Sequence, residues 1–155
     1  MLWTEKYRPK KLNDVIGQEH FTSDARGWIE ERNMPNVLLY GNPGNGKTGA
    51  GLAIGREILG ETFQDNYVEV NASDDRRLEN VRTTIKRIME RYASNIRFII
   101  TCNDRNKIIF ALQSRCANYH FKPLSNEAMM EVLSSILKVE EITRFSQDEL
   151  HSFIY

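Results

Sequence analysis

Residues 38–48 read LLYGNPGNGKT. An apolar run that breaks into Gly41-x-x-x-x-Gly46-Lys47-Thr48 constrains the fold more than any other stretch. It demands a buried strand, a tight loop whose backbone folds on itself, and a helix that starts at the lysine. The loop Gly41, Asn42, Pro43, Gly44, Asn45, Gly46 turns its N–H groups toward one point, and the helix adds its positive end there. Lys47 then reaches the β- and γ-oxygens of a triphosphate, and the Thr48 hydroxyl is available to Mg²⁺. The pattern predicts ATP and Mg²⁺ as ligands of this loop.

The rest of the chain repeats the strand-then-helix rhythm. Phe21, Ala25, Trp28 and Ile29 are spaced for a helix over 19–31, ending near Pro35. NVLLY (36–40), YVEVNA (67–72), IRFIIT (96–101) and ANYHF (117–121) read as strands, with helices near 47–58, 77–92 and 106–113 between them. Alternation of this kind predicts an α/β parallel sheet flanked by helices. Residues 1–18 read as irregular. After Pro123 the pattern becomes helical, with Ser125 capping a helix to about Lys138 and a capping-box spacing at Ser146 to Glu149. The expected organisation is a nucleotide-binding domain over 1–123 and a truncated helical lid over 124–155.

A length of 155 residues with 41% hydrophobic and 27% charged content is that of one ordinary globular unit. No apolar run is long enough to cross a membrane, and the start of the chain has no signal-peptide core. Cys102 and Cys116 have no metal-like spacing and read as thiols of a reducing compartment. The expected location is cytoplasmic, or nuclear in a eukaryote. Net charge is zero but unevenly spread: −4 over residues 1–75, +8 over 76–122 and −4 over 123–155. A basic middle segment makes nucleic acid the partner to test.

WTEKYRPKKLNDVIGQE, LLYGNPGNGKT, VEVNASDDR, RFIITCN and LQSRCANYHFKPL stand in the order found in the small subunit of replication factor C. The chain resembles that family of AAA+ ATPases, the clamp loaders, over nearly all of residues 2–139. The resemblance implies loading of a sliding clamp onto primer-template DNA during DNA replication, in a hetero-oligomer with other replication factor C subunits. It also implies roles for particular residues. Tyr7, Arg8, Pro9, Val15 and Ile16 would line the adenine pocket, and Asn103 would be sensor 1, feeling the γ-phosphate from a strand end. Arg115, in Ser114-Arg115-Cys116, would be the arginine finger that reaches the neighbouring subunit's nucleotide.

One part of the family pattern is absent. Hydrolysis needs an apolar strand ending in Asp-Glu, the Walker B element, to hold magnesium and polarise water. The only Asp-Glu pair here is Asp148-Glu149, in the helical tail, and only residues 73–95 separate the NASD and RFII segments. In the family a helix and the Walker B strand lie between them. Leu78, Val81, Ile85, Ile88, Met89 and Tyr92 fall on one helical stripe, so two family helices read as fused in phase. The expected fold is therefore a P-loop AAA+ sheet lacking the Walker B strand, followed by the start of a lid. Asp74, Asp75 and Asp104 are conceivable substitutes for the missing acid, although each reads more simply as a turn or cap residue. The sensor-2 arginine and the collar of the family also lie beyond this chain.

Arg82 and Lys86 lie off the apolar stripe and match the family's DNA phosphate contacts, which position a protein without reading sequence. Two readings follow. One is a clamp-loader subunit, an ATPase by lineage. The alternative is a non-hydrolysing nucleotide-binding module, or degenerate fragment, that donates an arginine finger and DNA contacts to other subunits. A small P-loop kinase would have no use for the Ser-Arg-Cys motif.

Overall fold

The computed structural model describes residues 3–68, 78–92, 94–142, 145, 149, 150 and 152, with the side chains of Thr4 and 78–84 left aside. Among the described residues, three parallel strands form one sheet: β1 (Val37–Tyr40), β2 (Ile99–Cys102) and β3 (Ala117–His120), in the order β2-β1-β3. Val37 pairs with Ile99 on one side and Ala117 on the other. Val37, Leu38 and Leu39 are each 0% exposed, because a central strand is covered on both faces. β3 has one covered and one open face, and its residues alternate accordingly.

Among the described residues, seven α-helices and three 3-10 turns surround the sheet. Those that matter here are α1 (Trp3–Lys6), α2 (Glu19–Glu30), α3 (Lys47–Leu59), α4 (Phe63–Asn66), α5 (Leu78–Arg91), α6 (Phe110–Gln113) and α7 (Asn126–Val139). Phe21 and Ala25 of α2, with Ala50 and Ile54 of α3, close over Val37, Leu39 and Phe121 to form the core. The Phe21 and Phe121 rings meet edge to face, 5.1 Å between centroids. Truncating a fully buried ring of this kind costs about 3–5 kcal/mol. α7 opens as its sequence predicts, with the Ser125 hydroxyl accepting from the Ala128 N–H at 3.2 Å.

Several elements differ from the sequence expectation. Tyr67 and Val68, read as the start of a strand, lie outside the sheet. Tyr67 instead stacks on Phe63 across the end of α4, at 4.7 Å between centroids, and Val68 is 79% exposed. The remainder of that expected strand, 69–72, lies outside the described residues. The strand expected over 96–101 begins only at Ile99, because Phe98 N–H is already given to the Asn36 side chain and Arg97 is drawn to the turn before β1. The expected helix at 106–113 is two pieces, a 3-10 turn over Arg105–Lys107 and then α6. The segment expected to be irregular holds α1 and a 3-10 turn over Leu12–Asp14.

α5 is the fused helix, and it runs unbroken across the join. On its rear half Met89 is buried and Ile85 and Ile88 are half-buried, as the stripe requires. Tyr92 departs from the stripe at 45% exposed, because the helix ends at Arg91 and its periodicity ends with it. The capping-box spacing at Ser146 lies outside the described residues. Among the described residues, no helix is long and apolar enough to cross a membrane.

Candidate functional site

In a parallel sheet all strands end at the same edge, and ligands bind there, where neighbouring strands leave in different directions. β1 is that point, since the chain places β2 on one side of it and β3 on the other. The loop 41–46 springs from it. Gly41 has φ +142°, and a Cβ there would stand 2.2 Å from the Phe121 carbonyl oxygen. The first turn of the loop therefore lies against the end of β3 and admits only glycine. Asn45 ties the far side of the loop to that same carbonyl, donating at 2.8 Å. Gly46 then caps α3 in the left-handed conformation, φ +85°.

Lys47 is buried, with its ammonium folded into the loop. It donates to the carbonyls of Gly41 at 2.8 Å and Asn42 at 2.7 Å. Burial lowers its pKa, opposed by the thiol of Cys102, the last residue of β2. Thr48, Asn42, Pro43 and Gly44 are exposed at the loop's rim. The loop thus offers a cation and a helix N-terminus to phosphate, and one hydroxyl to magnesium. Those residues fit a nucleotide's phosphates. The magnesium side is thinner, because no cluster of three or more His, Cys, Asp or Glu exists among the described residues.

The N-terminal segment folds over the same helix. Pro9 sits against Gly49 in the first turn of α3, 3.0 Å from where a Cβ would be, with Arg8 at 3.7 Å. Glu57 of α3 accepts from the Leu12 N–H at 2.6 Å and so pins the segment down. Val15 packs on the core and Ile16 is half-buried. Tyr7 turns its hydroxyl to Glu140, at the end of α7, where Lys6 also binds at 2.6 Å. Arg8 and Pro9 thus lie against the first turn of α3, beside the phosphate loop, while Val15 and Ile16 are placed only in or near the core, and Tyr7 joins the segment to the end of α7.

Gln18 is the residue that sequence reasoning missed here. It is 1% exposed, its amide nitrogen donates to the Lys122 carbonyl at 2.8 Å, and its side-chain oxygen has no partner. Its place beside Val15 and Ile16 in the sequence was the available signal. Asn103 follows β2 and is exposed at the carboxyl edge, where a γ-phosphate sensor would stand. Asp104 caps the next turn, accepting from the Asn106 N–H at 2.9 Å, so the simpler of its two sequence readings holds. Asp74 and Asp75 lie outside the described residues.

Arg115 is somewhere else altogether. It precedes β3, so it stands at the amino edge of the sheet, a strand length of roughly 13 Å from the edge that carries the loop. Its guanidinium donates to the Ala111 carbonyl at 2.7 Å and pairs with Glu90 of α5 at 2.8 Å. Lys86 is half-buried on α5, and Arg82, one turn earlier, has its side chain outside the described residues. Cys102 and Cys116 are both unpaired and half-buried, and burial pushes the Cys116 thiol up to about 11.

No family model matches the chain. Curated proteins do. It is 35% identical to a replication factor C small subunit of Archaeoglobus fulgidus, over 99% of this chain and 58% of the relative. The same protein of Methanocella arvoryzae is 37% identical over the same shares. The chain is a homologue of the replication factor C small subunit. It spans little more than half the length of the relatives it matches. The Archaeoglobus alignment runs over 187 positions while this chain has only 155 residues, so at least 32 positions of the relative have no counterpart here. Among solved structures, a variant of Thermotoga maritima RuvB superposes with TM-score 0.65, at 17% identity, covering 88% of this chain and 55% of that one. Thermotoga maritima RuvB described as a Holliday junction branch migration motor superposes with TM-score 0.63. At that identity the likeness establishes the fold alone, and the fold is the AAA+ P-loop sheet.

Proposed function

We propose that this chain is a clamp-loader module that binds ATP through residues 41–48 and does not hydrolyse it unaided. In this reading it acts within a hetero-oligomer of replication factor C subunits, with a sliding clamp and primed DNA, through an arginine finger and sequence-independent phosphate contacts. One observation supports the non-hydrolysing form over an autonomous ATPase. The loop and its lysine are fully built, yet the Lys47 ammonium rests on the carbonyls of Gly41 and Asn42, and Asp104, the acid just past β2, is engaged as a turn cap. The stretch between the NASD and RFII segments also contains no Asp-Glu pair. Tyr7, Arg8, Pro9, Val15 and Ile16 would hold the base, Asn103 would sense the γ-phosphate and Thr48 would meet Mg²⁺. Residues 1–123 would form the nucleotide-binding domain and 124–155 part of a helical lid.

Arg115 cannot serve its own loop from the opposite edge, so a finger role means service to a neighbour. The test mixes this chain with a full-length small subunit whose own finger has been replaced by alanine, with clamp and primed DNA present. Partial return of ATP hydrolysis is expected, and Arg115→Ala in this chain should abolish it. An arginine finger is worth about 10³–10⁵ in rate. A complex that forms without any rescue would refute the finger, and turnover by the isolated chain above a Lys47→Ala control would refute the absence of cis hydrolysis.

A further inference from the structure

Arg115 and Arg97 both line an open cleft of about 500 Å³ at the amino edge, with Trp28, Asn33 and Met34. The two arginines are held in opposite ways. Arg97 gives its guanidinium to the turn before β1, reaching the Met34 carbonyl at 2.6 Å and Asn33 at 3.1 Å. Its role is to fix the cleft wall. Arg115 rests on one carbonyl of α6, the helix just before it, and on one acid from a different element, Glu90, with both side chains of that pair close to half exposed.

We propose that Glu90 is a positioning residue for Arg115, a latch that holds the finger against α5 until a neighbour's phosphate displaces it. The inference rests on the finger reading above. The exchange is one anion for another: the guanidinium leaves a single carboxylate for a triphosphate of higher charge, and no bond is made or broken. A guanidinium has five N–H donors in a fixed fork, and Glu90 occupies the outer end of that fork. The carboxylate also repels an incoming phosphate, so the pair opposes engagement twice, by occupation and by charge. Exposure keeps the latch weak. Solvated pairs of this kind contribute up to about 1 kcal/mol, a factor of about five, and weaken further with salt. A weak latch can be opened by a neighbour's nucleotide. A buried one could not.

The fused helix is what makes the arrangement possible. Glu90 lies in the last turn of α5, and Met89 beside it is buried against the body of the protein. The helix end is thereby anchored, and the carboxylate is delivered to a fixed point next to α6.

The test is the rescue assay with Glu90→Gln, which keeps the side chain's size and its acceptor oxygen while removing the charge. Rescued hydrolysis should rise two- to fivefold at low salt, and the gain should vanish as salt is raised, since screening already loosens the pair in the parent chain. Glu90→Gln combined with Arg115→Ala should be as inactive as Arg115→Ala alone. A salt-independent change would mark a merely structural role and overturn the latch. An unchanged or lower rate with Arg115 still required would overturn it too and leave the finger standing. Loss of any Arg115 dependence would instead bring down the finger reading itself.

Discussion

The two edges of the sheet are built on different principles. At the carboxyl edge each part is locked by backbone: Gly41 against the Phe121 carbonyl, Asn45 bonded to that carbonyl, Lys47 bonded to two more. At the amino edge, the arginine that matters hangs from one carbonyl and one exposed acid. A site that wraps phosphate needs donors fixed in advance, whereas a residue that crosses an interface needs freedom to leave its partner. The contrast is what the proposed division of roles between the edges requires.

The sharpest way to break that comparison is Gly41→Ala. Its Cβ would overlap a backbone oxygen at 2.2 Å, and its φ of +142° is foreign to alanine. A cost of about 3 kcal/mol or more is expected from the clash and strain together, read as a fall in denaturation midpoint. Gly44→Ala is the control. It also has positive φ but open space around the new methyl, and should cost only about 1–2 kcal/mol. Equal losses would mean that the loop is not locked against β3.

Lys47→Ala comes next and should spare the fold while lowering nucleotide affinity about 10- to 100-fold, the range for losing charged hydrogen bonds. A titration with and without Mg²⁺ reads it. Unchanged affinity would move the nucleotide away from this edge. A smaller effect belongs to α5. Arg82→Ala with Lys86→Ala should flatten the slope of log K for DNA against log salt by up to about two units, at roughly 0.9 per phosphate contact. An unchanged slope would return that face to solvent.

The division between the edges was only partly legible in the sequence. The loop could be read residue by residue, because glycine spacing, a preceding apolar run and a following helix all act locally. Strand–helix alternation also sufficed for a parallel sheet. The exact start of β2 could not be read, because it depends on Asn36, 62 residues away, taking the Phe98 N–H. Tyr67 was misjudged for a similar reason: β-propensity suits a strand, but a ring stack on Phe63 takes it elsewhere. A finger role for Arg115 is suggested only by family resemblance. Its pairing with Glu90 joins two segments 25 residues apart and leaves no mark in either.

The smallest effect concerns the tether between the N-terminal segment and the end of α7. The Lys6 ammonium and Tyr7 hydroxyl hold the Glu140 carboxyl below its usual range, and Glu140 in turn raises Lys6. A depressed acid contributes above its unfolded pKa of about 4.5 and loses that contribution as pH falls through the folded value. A raised base contributes below about 10.5 and loses that contribution as pH climbs past it. The tether should therefore hold through the neutral range and loosen toward both extremes. Trp3 packs edge-on to Tyr7 at 6.3 Å, so its fluorescence is a convenient reporter. Glu140→Gln should remove the acid limb of that profile, and a profile that keeps the limb would place the titrating group elsewhere.

The order β2-β1-β3 also governs how the chain can reach this structure. Val37 waits for Ile99 and then for Ala117, partners 62 and 80 residues downstream. During synthesis the most deeply buried of the described strands therefore leaves the ribosome long before either of its partners exists. Non-local pairing of this sort slows folding, and an unpaired strand exposed meanwhile is a target for aggregation or for chaperones. Loop-closure entropy grows only with the logarithm of length, so the cost of this order depends weakly on how long the crossover is. What its length governs is timing, because β1 stays unpaired until the chain has grown through Ile99.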